Sequence, residues 1–302
     1  MVASFETTII SIIIMIFLGY TLKRLNLVKS TDINSLNNIA IYLTLPCLVF
    51  ASIYNADLSN FQRLAVLPFI NVITSLIIGT SIFLLGKYKG VDKKRVWTLI
   101  LVTCSGNTAF LGYPLCYGVF GQPGLVTGIF SDMGSLIIYL LLSIVLTLNL
   151  GGSSKSSFKK ILSFPLLWAL IIGLILNISG IQVGPIVDNV VGYMGDATIP
   201  LIMISLGVSL NFKGIREHIH YAEIGSLIKL VIYPCIAFII VTLLGLKGLE
   251  FNIALLQSAM PSGMIVLTLI TEHKLDLNIA SIIIFTSTIL SLLSISILLF
   301  LL

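Results

Sequence analysis

The sequence is short of charge. Only 10% of its 302 residues are Asp, Glu, Lys or Arg, against about 25% in a soluble globular domain. So little charge cannot coat a water-facing surface, and 57% hydrophobic residues with a mean hydropathy of +1.11 agree. The chain therefore reads as an all-α polytopic membrane protein. The same arithmetic excludes disordered, collagen-like, coiled-coil and disulfide-stapled classes. Histidine and cysteine are scarce too. His218, His220 and His273 fall in short stretches between apolar runs, and Cys47, Cys104, Cys116 and Cys235 lie inside such runs. Neither set has the spacing of a zinc site or a disulfide framework. No GxxxxGK[ST] phosphate loop occurs, which removes that route to ATP hydrolysis. No enzyme, metal or cofactor is expected. The net charge of +5 is scattered between apolar runs and predicts no nucleic-acid partner.

What is present in quantity is membrane-spanning sequence. About 20 mostly apolar residues cross a bilayer core, and ten such runs occur: 7–25, 33–54, 64–86, 96–119, 124–149, 162–180, 186–210, 225–246, 251–271 and 277–301. The first run follows Glu6 and precedes Lys23 and Arg24, which is the reverse of a secretory leader. With the N-terminus outside, the inner loops collect fifteen of the seventeen Lys and Arg, counting Lys229 at a helix mouth. The outer loops keep Arg63 and Lys247. Positive residues gather on the cytoplasmic side of membrane proteins, so both termini are expected outside and the chain in the plasma membrane. Anionic lipid is the minor reading of the basic loops.

Residues 151–160, GGSSKSSFKK, are the longest polar stretch. They read as a cytoplasmic linker between an N-terminal repeat, 1–150, and a C-terminal repeat, 161–302, of five spans each. An odd number of spans inverts the second repeat. Landmarks recur: Arg63 and Lys229 each precede a proline by five residues (Pro68, Pro234), and Pro46 and Pro200 lie 154 residues apart. The same shift carries Asn107 onto Pro261. Inverted repeats are an architecture of secondary transporters, with sites on helices broken at corresponding positions.

Two spans look broken. Span 4 holds SGNTAFLGYP, Ser105 to Pro114, and span 9 holds QSAMPSGM, Gln257 to Met264. Gly and Pro cost a helix about 1 and 3 kcal/mol, and freed amides in a membrane need protein or water to satisfy them. Asn107 and Pro261 both fall ~15 Å into their spans at 1.5 Å per residue, near the midplane of a ~30 Å core. Half-helices meeting there would aim free amides and positive dipole ends at one small volume, an anion site. Pro46 and Pro200, with fewer small polar neighbours, read as kinks. Asp132 stands inside span 5, and a carboxylate there is a functional candidate by default. It could carry a proton, bind a cation or hydrogen-bond a broken backbone.

The motifs NTAFLGYPL (Asn107 to Leu115) and AMPSGM (Ala259 to Met264), followed by Glu272 and an apolar last span, resemble the signatures of the auxin efflux carrier family. Asp132 with Gly134 resembles the start of span 5 in its bacterial members. The resemblance covers nearly the whole chain. It implies ten helices as two inverted five-helix repeats, with helices 4 and 9 crossing at the midplane. Helices 1, 2, 6 and 7 would form a scaffold, usually dimeric. Helices 3–5 and 8–10 would form a transport domain moving as an elevator. The implied ligand is a small organic anion held by Ser105, Gly106, Asn107, Thr108, Met260, Pro261, Ser262, Gly263 and Met264, with Asp132 as the coupling candidate. Plant members carry Pro where this chain has Gly106, and their long hydrophilic loop is absent. No aromatic cage lies near the breaks, so a dicarboxylate such as malate fits as well as auxin. A sodium-coupled bile-acid-type symporter, sharing the crossed-helix plan, and a non-transporting membrane sensor are the alternatives.

Overall fold

The computed structural model describes residues 5–150, 164–210 and 219–302. The linker 151–160 lies outside the described residues, as do His218, Lys213 and Arg216. Every regular element among the described residues is helical. In chain order they are α1 Phe5–Arg24, α2 Ile33–Ile39, α3 Leu45–Tyr54, α4 Phe61–Leu64, α5 Leu67–Tyr88, α6 Lys93–Cys104, α7 Tyr113–Leu150, α8 Pro165–Ser179, α9 Pro185–Asp196, α10 Thr198–Ser209, α11 Ile219–Leu227, α12 Tyr233–Leu243, α13 Leu249–Ser258, α14 Val266–Glu272 and α15 Leu277–Leu301. Short 3-10 and π segments join several of them.

Local chemistry explains the starts and bends. Asp92 caps α6 by accepting from the amides of Lys94 and Arg95, and Asp276 caps α15 by accepting from that of Ile279, each satisfying donors a helix leaves free at its start. Three π turns, Ala40–Thr44, Thr108–Gly112 and Ile228–Ile232, end two residues before Pro46, Pro114 and Pro234. Proline lacks the amide and crowds the carbonyl four residues back, and a widened turn absorbs that conflict without ending the helix. The kink expected at Pro200 falls just ahead of it, at Ala197 between α9 and α10.

Among the described residues, seven helical stretches are long and apolar enough to cross a membrane: Glu6–Arg24, Ile33–Tyr54, Phe61–Tyr88, Thr108–Leu150, Pro185–Ser209, Ile219–Leu243 and Leu277–Leu301. The number is below the ten apolar runs for visible reasons. Thr108–Leu150 is 43 residues long, about twice a bilayer crossing, and contains Gly121 at a non-helical φ of 67°. α8 is a shorter apolar helix, and α13 and α14 are two short pieces of one run. Large apolar side chains such as Phe17, Leu84, Ile186 and Phe300 point outward, as lipid-facing residues do.

The helices form two compact units. The first comprises the described parts of Met1–Asn60, Tyr113–Ile129 and Phe158–Asn211. Here α1 and α10 pack backbone to backbone. A Cβ on Gly19 would lie 2.2 Å from the Ile204 carbonyl oxygen, and one on Gly207 would lie 2.0 Å from that of Ile16. Small residues permit such approach where helices associate in lipid. Asn177 of α8 donates to the carbonyls of Ile53, Tyr54 and Ala56, closing the end of α3. The second unit comprises Phe61–Gly112 and the described parts of Phe130–Ser157 and Phe212–Leu302. Its apolar core includes Trp97, Leu101, Ile270, Ile279 and Ile283, and it contains the interruptions of both broken spans.

Candidate functional site

α6 stops at Cys104, Ser105 is extended (φ −109°, ψ 122°), and helical winding resumes at Thr108. α13 stops at Ser258 and α14 begins at Val266. The two gaps meet. Gly106 and Ser262 face each other as an isolated antiparallel bridge. The Asn107 amide donates to the Pro261 carbonyl at 2.7 Å, and the Gly263 amide to the Ser105 carbonyl at 3.0 Å. Glycine at 263 is a geometric requirement, because a Cβ there would lie 2.7 Å from the Gly106 carbonyl oxygen.

Some of the freed amides are spent within the protein: those of Asn107 and Gly263 bond across the bridge, and that of Ser262 donates to the Ser287 hydroxyl at 3.2 Å. Polar side chains are left over as well. The hydroxyls of Ser105 and Ser262 are buried without a hydrogen-bond partner among the described residues. The Asn107 carboxamide, 8% exposed, likewise makes no hydrogen bond among them. An unsatisfied buried polar group costs about 1–3 kcal/mol, so the two hydroxyls in one crossing call for an explanation.

Asp132 is buried and lies beside this crossing. The Thr108 hydroxyl donates to its carboxylate, and the Ser135 hydroxyl stands 3.3 Å from that of Thr108. Gly134 lets α7 sit on α5, where a Cβ would lie 2.3 Å from the Pro68 carbonyl oxygen. Met260, Pro261 and Gly263 are buried, whereas Gly106 and Met264 are half-buried.

Lys229 departs from the expectation. Sequence reasoning put it at a cytoplasmic helix mouth, and the structure buries it to 1% exposure. α11 begins at Ile219, which sets Lys229 ten residues into the span, ~15 Å deep at 1.5 Å per residue. Its ammonium donates to the Ser258 carbonyl at 3.3 Å and lies 3.7 Å from the centre of the Tyr233 ring. A Cβ on Gly106 would lie 3.5 Å from its Nζ. The signal was its setting in an apolar run five residues before Pro234.

The ends of both first half-helices are tied down in the same way. The Ser75 hydroxyl donates to the Cys104 carbonyl at 3.1 Å, and Lys229 donates to that of Ser258. Donor and acceptor are 29 residues apart in both pairs, and Ser75 to Lys229 and Cys104 to Ser258 are each a step of 154, the shift that relates Pro46 to Pro200. Tyr233 links the two ends: its hydroxyl shares a 2.7 Å hydrogen bond with Ser75 and lies 3.1 Å from the Asn71 carbonyl. Asn71 in turn donates to Ser131 next to Asp132.

A helical membrane protein that buries polar groups where two broken helices meet has the build of a transporter. A family model described as a membrane transport protein matches residues 4–156 and again residues 149–299. The chain belongs to this family, the auxin efflux carrier family whose signatures it carries, and is a membrane transporter, not an enzyme. It is 38% identical over 287 residues to an uncharacterized transporter of Methanothermobacter thermautotrophicus, covering 95% of each chain. It is 36% identical over 295 residues to another from Methanocaldococcus jannaschii, covering 95% of this chain and 96% of the relative.

Proposed function

We propose that this protein is a secondary transporter moving a small organic anion, a carboxylate, across the plasma membrane by an elevator mechanism. The observation that carries the reading is the set of unpartnered donors at the crossing: the Asn107 carboxamide and the Ser105 and Ser262 hydroxyls. A carboxylate supplies four lone-pair sites and no donor, so it complements a site whose spare groups donate. Ser105, Gly106, Asn107, Thr108, Met260, Pro261, Ser262, Gly263 and Met264 form its walls, and Asp132 is the coupling residue.

In this reading the chain makes ten crossings, with Gly121 turning the chain between the fourth and fifth. Both termini lie outside. The recurrence of the Ser75–Cys104 bond as Lys229–Ser258 supports two inverted five-helix repeats. The first compact unit serves as scaffold, dimerising within the lipid through its helices, and the second as the moving transport domain. Residues 113–129 group with the first unit, so the division cuts through spans 4 and 5 instead of falling between whole helices. The test is thermal unfolding of the purified protein with malate, indole-3-acetate and their uncharged amides. A ligand at 100 times its Kd stabilises by about 2.7 kcal/mol. Stabilisation by an acid and not its amide, lost in Asn107→Ala, is expected. Equal response to acid and amide sinks the anion reading.

A further inference from the structure

The first compact unit holds a cavity of its own, of about 230 Å³, which shares no residue with the crossing. Ser52 and Asn55 at the end of α3, Tyr117 and Gln122 of α7, and Asp196 at the bend between α9 and α10 line it. Asp196 is the last of the twelve residues of α9, which opens the membrane span Pro185–Ser209. It therefore lies ~16 Å from the start of that span at about 1.5 Å per residue, a depth at which a carboxylate is costly and calls for a function. It makes no hydrogen bond or ion pair among the described residues. The Ser52 hydroxyl is unpartnered among them as well, although Ser52 is only 1% exposed. Asn55 spends its side-chain NH2 on the Ala51 carbonyl at 3.0 Å, which leaves its side-chain oxygen, an acceptor. These groups gather hydrogen-bond acceptors around one carboxylate.

We propose that this cavity binds a small organic ammonium ion. A primary ammonium supplies three donors and no acceptor, the complement of the Asp196 carboxylate, the Asn55 oxygen and the Ser52 hydroxyl. Leu48, Ala51 and Ile199 give the cavity an apolar wall for a short alkyl chain, and the Tyr117 ring adds a group whose face attracts cations. The volume equals about seven waters at about 30 Å³ each. That is room for a molecule of a few heavy atoms, and a bare metal ion would leave most of it unfilled. The bound ion ties the end of α3 to the α9–α10 bend, so it adds to the cohesion of the first unit and takes no part in holding the carboxylate at the crossing. Gly192 keeps the cavity open: it lines the wall, and a Cβ there would meet nothing within 4 Å.

The test is thermal unfolding of the purified protein in propylammonium chloride, with potassium chloride and tetramethylammonium chloride of equal ionic strength as controls. Potassium has the charge without the carbon, and tetramethylammonium has both but no N–H donor. Propylammonium at about ten times its Kd is expected to raise the melting temperature by roughly 3 °C over either control. Asp196→Asn keeps the shape and removes the charge, and should weaken the response at least tenfold in concentration. Gly192→Leu fills the cavity without touching any polar group, and should abolish the response while the protein still folds. Asn107→Ala should respond as the wild type does, so this inference and the anion reading fail separately. A wild type that propylammonium does not stabilise, or that potassium or tetramethylammonium stabilises as much, overturns the proposal with no variant needed. A response that survives in Gly192→Leu, or one that is lost in Asn107→Ala, overturns it too, because the amine then acts elsewhere. If Gly192→Leu does not fold, Gly192→Val takes its place under the same criteria.

Discussion

The two compact units use glycine and polar groups in opposite ways. In the first, Gly19 and Gly207 bring α1 and α10 into backbone contact, and the side-chain NH2 of Asn177 is spent on closing the end of α3. In the second, Gly106 and Gly263 let two interrupted helices cross, and around that crossing polar groups remain unused: Asn107, Ser105 and Ser262. Both buried charges belong to the second unit as well. The first unit is built for cohesion. The second holds polar groups that a self-contained fold would have paired or replaced with apolar ones, since each unsatisfied group is destabilising.

The comparison can be broken hardest in the first unit. Gly207→Val places a Cβ about where the Ile16 carbonyl oxygen already sits, 2.0 Å away, and backbone cannot yield as a side chain tip can. A loss of more than about 4 kcal/mol is expected, read as failure to elute as a folded, monodisperse species from detergent. Next comes Gly263→Ala. The 2.7 Å approach to the Gly106 carbonyl forces the two breaks apart, at about 2–3 kcal/mol, so the variant should fold, melt lower and lose carboxylate binding. If it binds normally, the bridge between Gly106 and Ser262 is not part of the site.

Asn107→Ala sharpens the contrast further. Its carboxamide makes no hydrogen bond among the described residues, so the melting temperature without ligand should barely move. Carboxylate affinity should fall roughly 10- to 100-fold, the worth of a hydrogen bond to a charged group, measured by titration calorimetry. An equal loss of stability would make Asn107 a structural residue. The smallest effect on stability is expected from Asp132→Asn, because an amide oxygen still accepts from Thr108. Binding should persist while dependence of transport on a pH gradient disappears in proteoliposomes. Unchanged dependence would assign Asp132 to the architecture alone.

Much of this protein was legible as sequence. The shortage of charge defined a membrane protein, and the motifs around Asn107 and Pro261 located both interruptions, because glycine and proline break helices whatever surrounds them. The family followed from the same motifs. Local sequence could not say what happens to a freed amide, since its partner lies some 155 residues away: Asn107 bonds to Pro261 and Gly263 to Ser105. A reading confined to each break could not see that three of these amides, those of Asn107, Ser262 and Gly263, find partners within the protein. Lys229 was misplaced for a related reason. Positive charge in an apolar run reads as a helix end, and only a helix starting at Ile219 together with packing against Tyr233 and Ser258 carries it to the crossing. Composition and helix breakers are properties of the chain, so the sequence by itself determined the solvent, the elements and the places where they fail. Which buried groups find partners is a property of segments distant in sequence meeting in space, and that only the tertiary structure decided.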